Sequence, residues 1–294
     1  MLGTIAYNRQ GELWLMDADG ANQRALVTSV VIEGAPAWSP SGDRLAFSGF
    51  MPGTEVVTLI LDIWVVNADG TGLENVTNST GELMLSPSWA PDGQRLVFAD
   101  TTRELWIVDL ATGDQQRITD SPAHESNPSW APDGTLIAFC SLPVVNQTLG
   151  NDDIWVIEPD GSNPMQLTTA GNACSPAWSP DGALLAYERY VFENDPPGDY
   201  SDVWIMNRDG SNPRNVSNDP TRFNRSPTWS PDGQLLAFDS AGPITAVPGG
   251  GEEPEFEHVP ASDIVIADIA TSTIEVVTFS EVSEGAPAWR PSGD

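Results

Sequence analysis

Short apolar stretches of four to six residues recur along the chain, each bounded by Pro, Asp, Ser and Gly, and none carries the 3.6-residue period of an amphipathic helix. The stretches are copies of one another. PAWSPSGDRLAF at 36–47 returns as PSWAPDGQRLVF at 87–98, PSWAPDGTLIAF at 128–139, PAWSPDGALLAY at 176–187 and PTWSPDGQLLAF at 227–238. A sixth copy, PAWRPSGD, starts at 287. A second signature, an acidic residue, an aliphatic and usually Trp, begins at Glu12, Asp62, Glu104, Asp153, Asp202 and Asp263. These two slots account for all eleven Trp.

Spacing separates what is rigid from what varies. The Trp of the first slot lies nine residues before an aromatic (Phe47, Phe98, Phe139, Tyr187, Phe238) in every intact copy. The acidic residue precedes the next first-slot Trp by 25 to 27 residues. Between aromatic and acid the gap runs 5, 15, 6, 14, 15 and 25 residues, so all length variation falls in one loop. Each copy reads as four strands: the Pro-x-Trp segment, a Pro-Asp-Gly turn, an apolar second strand, the variable loop, a third strand on Asp-Ile-Trp-Val, a second Asp-Gly turn, and a fourth strand ending in Val-Thr or its equivalent. Six such units predict an all-β fold, a six-bladed β-propeller of four-stranded antiparallel blades spanning 1–294 as one domain. Blades are expected at about 35–78, 86–120, 127–169, 175–218 and 226–279. The C-terminal strand at 285–294 joins three N-terminal strands within 2–28 as the closing blade. Closure of this kind leaves no free sheet edge between the chain ends.

The W-S-P-D-G turn followed by D-I-W-V resembles the repeat of the TolB-like β-propeller family, over the whole chain. Trp-Asp-repeat propellers fit less well, since no Gly-His pair opens the units and no Trp-Asp closes them. The resemblance implies a non-enzymatic binding scaffold exported to a bacterial periplasm or cell surface. The first residues, MLGTIAYNRQ, have neither a positive n-region nor an apolar h-region.

Charge narrows the partners. Forty-two acidic residues face 12 basic ones, every one an Arg, for a net charge of −30. Nucleic acid and anionic membrane would be repelled. No apolar run reaches the ~20 residues of a membrane helix. A monomer that binds a protein or a peptide with a basic segment is the expected form.

Candidate chemistry follows from the faces of the blades. Asp43, Asp92, Asp133, Asp181 and Asp232, with Asp19, Asp69, Asp160 and Asp209, read as turn formers. The variable loops carry Phe50 and Met51, Tyr190, Phe192 and Tyr200, and Phe256 beside His258, the aromatic and apolar anchors of a binding face. Packing of these side chains against neighbouring loops is the competing reading. Glu33, Glu125 and Glu284 each precede their first-slot Trp by five residues and predict an acidic rim at the channel mouth. That rim is a candidate site for Ca²⁺, the hard cation suited to oxygen ligands, though no cofactor is required. The acids that open strand three are spread too widely to share an ion and are expected to bind backbone locally.

Two enzymatic readings compete with the scaffold. A Ca²⁺-dependent lactonase- or esterase-like propeller would draw on Glu33, Glu125, Asn127, Asn172, Asn224 and Glu284. A prolyl-oligopeptidase-like parent would supply its own hydrolase domain; no G-x-S-x-G elbow occurs here. His124 and His258 stand apart, without the cluster a zinc site needs. Cys140 and Cys174 both point toward the loop face, where two free thiols are expected in preference to a bridge.

Overall fold

A computed structural model describes residues 3–52, 60–79, 82–145, 148–149, 151–191, 200–242, 261–279 and 282–292. Every regular element among them is a strand. The first three, β1 (Thr4–Arg9), β2 (Glu12–Asp17) and β3 (Arg24–Val27), form an antiparallel meander. The next unit is β4 (Val31–Trp38), β5 (Arg44–Phe50), β6 (Asp62–Asn67) and β7 (Glu74–Asn75), followed by β8 (Leu85–Trp89), β9 (Arg95–Ala99), β10 (Leu105–Asp109) and β11 (Gln115–Arg117). The third repeat supplies β12 (His124–Trp130), β13 (Ile137–Leu142), β16 (Asp153–Ile157) and β17 (Met165–Gln166). Between its second and third strands lies a small ladder of β14 (Val144–Val145) and β15 (Thr148–Leu149).

Two further meanders complete the set. They are β18 (Ala173–Trp178), β19 (Leu184–Val191), β20 (Tyr200–Asn207) and β21 (Arg214–Asn215), then β22 (Phe223–Trp229), β23 (Leu235–Ala241), β24 (Asp263–Asp268) and β25 (Ile274–Val276). A parallel pairing at Ser201–Phe223 joins these two units. The last strand, β26 (Glu284–Trp289), pairs with β1, so the N-terminal sheet runs β26-β1-β2-β3.

Packing follows from alternation. Each strand-two run turns residues such as Leu45, Phe47, Leu96 and Phe98 wholly inward. The buried side chains gather into six clusters, and every cluster joins two successive sheets. Ala288 of β26 sits in one cluster with Trp38 of β4, and Trp289 sits in another with Ile264 of β24. The strand-one elements are neighbours in turn: β4 with β8, β8 with β12, β12 with β18, β18 with β22, β22 with β26, and β26 with β4.

The first-slot Trp stitches these contacts. All six are between 5% and 8% exposed. Trp38, Trp89, Trp178 and Trp229 donate their indole N–H to Ala288, Ala37, Ser129 and Ala177 of the preceding sheet, at 2.9–3.1 Å. Trp130 differs and reaches Gly134 of its own turn at 3.5 Å. Arg44, Arg95 and Arg290 lie over Trp89, Trp130 and Trp38 of the next sheet at 4.8–5.2 Å from the ring centre.

Every strand one also carries a β-bulge. At the bulge Ser86, Asn127, Ser175, Ser226 and Ala286, each just before a Pro, take φ between +48° and +54°. This left-handed region is costly for residues with a Cβ, and for Ala286 no polar side chain offsets it. In β4 the kink falls one residue earlier, on Gly34.

Cys140 of β13 and Cys174 of β18 are joined in a disulfide that links two neighbouring sheets, with Cα atoms 5.1 Å apart. The expectation of free thiols is corrected. Cys140 follows the strand-two aromatic, a position that faces the next sheet's bulge, and Ser175 N–H lies 3.1 Å from its sulfur. A bridge across 34 residues stabilises by about 4 kcal/mol on the loop-entropy model. Replacing both with Ala is therefore expected to lower the melting temperature by about 6 °C, given the unfolding entropy of a chain this long. Calorimetry of the double variant checks it; an unchanged midpoint would show that neighbouring packing already fixes the two sheets.

Candidate functional site

The short Asp-Gly turns account for one face. Asp69, Asp160 and Asp209 accept the backbone N–H two residues on at 2.9–3.0 Å, from Thr71, Ser162 and Ser211. Hydrogen bonds from those hydroxyls and amides hold these carboxyls below the ordinary aspartate range. The acids that open strand three are also spoken for. Asp62 takes Thr77 Oγ1 at 2.8 Å, Asn75 Nδ2 at 2.8 Å and Ser79 N–H at 2.7 Å. Asp202 repeats the set with Ser217, Asn215 and Asp219. The bridging hydroxyl in turn accepts the N–H of the residue after the acid, Ile63 or Val203 at 3.0 Å. These carboxylates pin strand three to strand four.

Two cavities stand out among the described residues. The larger, 680 Å³, runs between the strand-one elements of all six units and is lined by their Pro-x-Trp segments. The other, 450 Å³, opens where β18, β22 and β26 enter their sheets, beside Gln10, Gly34, Tyr190 and Ser283. Most of the side chains that line it are polar, although about half of its surface is apolar. Glu188 and Asp239 form part of them, and both are buried, at 2% and 4% exposure.

The expected rim of Glu33, Glu125 and Glu284 needs correction. Glu33 is exposed, whereas Glu125 and Glu284 are only 3% and 1% exposed. The cause is register. Glu125 pairs with Ser141 and Glu284 with Arg9, two residues past the strand-two aromatic; Glu33 pairs with Ser48, one residue past it. The extra residue in the β4 bulge turns Glu33 outward, since a one-residue slip reverses a side chain's face. Burial, opposed by a 2.5 Å hydrogen bond from Ser121, pushes the Glu125 carboxyl up to about 7. Burial also raises Glu284, which keeps Arg9 at 3.3 Å.

The three Glu do not converge. Among the described residues no group of three or more His, Cys, Asp or Glu side chains is arranged to hold a metal ion, so the donors do not fit Ca²⁺ at this mouth. The amides of the lactonase-like set are engaged in structural links. Asn127 accepts Ser86 Oγ at 2.8 Å, Asn172 donates to the Tyr190 carbonyl at 2.6 Å, and Asn224 accepts Ser240 Oγ at 2.7 Å.

The loop aromatics divide. Phe50 ends β5 opposite Val31, and Met51 beyond it is 47% exposed. Tyr190 and Tyr200 stand on extended β19 and β20, each half-buried. Burial and the neighbouring Glu188 carboxylate hold the Tyr190 hydroxyl well above its ordinary range. Phe192 and Phe256 lie outside the described residues.

Sequence reasoning missed Glu188, Asp239 and Arg225. The signal was present: the residue after the strand-two aromatic is Asn8, Ser48, Ala99, Cys140, Glu188 and Asp239 in the six units, so two acids break a small or neutral series.

Comparison with known proteins gives the geometry its relatives. A model of the TolB beta propeller domain matches residues 4–189. The Tol-Pal system protein TolB of Dinoroseobacter shibae is 32% identical over 121 residues, covering 40% of this chain and 26% of that protein. A TolB homolog of Chlorobium luteolum is 31% identical over 196 residues, covering 53% and 44%. The chain thus spans less than half the length of these curated relatives. The crystal structure of TolB from Acinetobacter baumannii superposes with a TM-score of 0.75 at 21% identity, over 99% of this chain and 67% of that one. With its repeats in four-stranded antiparallel sheets, the chain belongs to the TolB β-propeller domain family.

Proposed function

We propose that the six four-stranded units close into one six-bladed propeller over 1–294, and that this propeller is a non-enzymatic scaffold binding a protein or peptide in a bacterial periplasm. The cyclic order of strand-one neighbours and the six inter-sheet clusters support the closed ring. In this reading the blades lie at about 35–78, 86–120, 127–169, 175–218 and 226–279, with 285–294 and 2–28 completing the last. The Tol-Pal membership of a relative supports a role in protein association. The Cys140–Cys174 bridge supports an oxidising compartment. No helix of the described residues is long and apolar enough to cross a membrane.

The observation that carries the binding reading is the 450 Å³ cavity beside the variable segments, with exposed Glu33 and Met51 on the same end of the sheets. The partner footprint comprises Glu33, Phe50, Met51, Tyr190 and Tyr200, extended by Phe192 and Phe256. Glu125 and Glu284 are too deeply buried to meet a partner directly and act by shaping the mouth. A calcium hydrolase draws no support from the donor geometry.

The test sets two faces against each other. Glu33→Lys with Met51→Asp alters the loop face, and Asp69→Lys with Asp160→Lys and Asp209→Lys alters the turn face. Capture of the dominant periplasmic partner is expected to fall at least tenfold for the first set and less than twofold for the second. Its association rate should drop as salt rises, because rim charge steers the encounter. Equal losses from both sets would refute the assignment.

A further inference from the structure

Glu188 and Asp239 occupy corresponding places on neighbouring sheets, yet only Asp239 is paired with a guanidinium. Asp239 Oδ2 receives Arg225 Nη2 at 3.0 Å and Nε at 3.1 Å, and Oδ1 faces Ala286 N–H at 3.4 Å. Glu188 lies in register opposite Cys174, which the disulfide removes as a donor. Its Oε2 takes Ser175 Oγ at a long 3.3 Å, and its Oε1 has no hydrogen bond of good geometry. Burial pushes this carboxyl up to about 7, against the pull of the nearby Tyr190 hydroxyl. An acid 2% exposed thus lines a cavity large enough for a small ligand. A buried carboxylate left so is expensive unless something pairs with it.

The charge count selects the ligand. With Glu188 and Asp239 both ionised, two carboxylates and one guanidinium leave one negative charge, which either a proton on Glu188 or a bound monocation balances. Ca²⁺ needs six to eight oxygen ligands, and among the described residues no third acid converges here. A guanidinium prefers a two-oxygen face, whereas a single carboxylate oxygen without a hydrogen-bond partner, beside a cavity that Ser175, Ser226 and Ser262 also line, suits a compact ammonium with three donors. The chain contains no Lys, so no side-chain ammonium of its own can fill the place.

We propose that the cavity between Glu188, Tyr190, Asp239 and Ser283 is a binding site for a primary alkylammonium group, contributed by a lysine side chain or an amino terminus of a partner or by a free amine. The inference rests on the loop-face reading for its biological partner but not for its chemistry, and small probes separate the two. The full chain is titrated by ligand-observed NMR with Nα-acetyl-lysine amide, Nα,Nε-diacetyl-lysine amide, alanyl-alanine amide and butylamine.

The first probe is expected to bind with a Kd near 1 mM, the scale of one charge-assisted contact set; the diacetyl compound should bind at least tenfold more weakly. Whichever of the lysine, dipeptide and butylamine probes binds tightest identifies the source. Glu188→Gln should weaken the charged probes at least tenfold with the melting temperature kept. Ser283→Lys, which sets an ammonium at the exposed mouth, should do the same if the Gln variant fails to fold. Equal binding of the acetylated and charged probes would overturn the site, as would binding indifferent to both variants. Tighter, Glu188-dependent binding of CaCl₂ would overturn it too, in favour of a divalent site. Failure of partner capture with intact amine binding would leave this site standing and refute the loop-face reading alone.

Discussion

A chain ending at Ser283 is expected to lose cooperative folding. The deletion removes β26, and with it Trp289 and Ala288, 5% and 7% exposed, which sit in two different inter-sheet clusters. Loss of a core Trp alone costs about 3–5 kcal/mol. Whole domains of this kind are stable by about 5–15 kcal/mol, so little margin remains after one strand and two clusters are cut. The deletion also bares the β1 edge from Ile5 to Arg9 and takes away the Ala288 carbonyl that receives the Trp38 indole at 3.1 Å. Bared edges invite pairing between chains.

The expected outcome is an aggregating or molten chain by size-exclusion and near-ultraviolet circular dichroism. A synthetic peptide covering 282–294, added during refolding, should restore a monomer with the parent spectrum by supplying the missing strand. A truncated monomer with an unchanged melting temperature would refute the closed ring. Rescue by a scrambled peptide would show that the effect is not strand replacement.

The repeat made most of this fold legible, because its two Trp slots and Asp-Gly turns impose strand and turn at fixed spacing. The inter-sheet contacts were legible only where the repeat itself makes them, as with the first-slot Trp. Glu33, Glu125 and Glu284 share one distance from Trp, yet an extra residue in the β4 bulge sends one outward and leaves two inside. Spacing along a strand does not report a bulge. Cys140 and Cys174 belong to different repeats, and their meeting depends on which side of a neighbouring sheet each faces. The Glu188–Asp239–Arg225 cluster is of the same kind: Arg225 meets Asp239 by cross-strand register, while Glu188 lines the same cavity from the neighbouring repeat. What lies within one repeat was readable; what lies between repeats required the packing.

The two Trp slots should therefore answer mutation differently. Trp229 of β22 is 6% exposed, packs among Ala186, Ile205 and Phe238, and donates to Ala177 O at 2.9 Å. Trp229→Ala is expected to cost about 3–5 kcal/mol, for lost burial plus the cavity left between two sheets that cannot collapse freely. Trp229→Phe keeps most of the ring but strands the Ala177 carbonyl, which costs about 1–3 kcal/mol when the acceptor stays buried. Trp155 of the second slot is only half-buried against its cluster, so Trp155→Ala should cost less than half as much as Trp229→Ala. Urea unfolding of the three variants at constant m-value gives the comparison directly. Equal costs in the two slots would deny the first slot its role between sheets. A Trp229→Ala protein of parental stability that no longer bound its partner would make the ring of Trp a ligand surface along the central cavity. A cost for Trp229→Ala larger than that of either Trp229→Phe or Trp155→Ala is the signature of sheets held to one another by their innermost indoles.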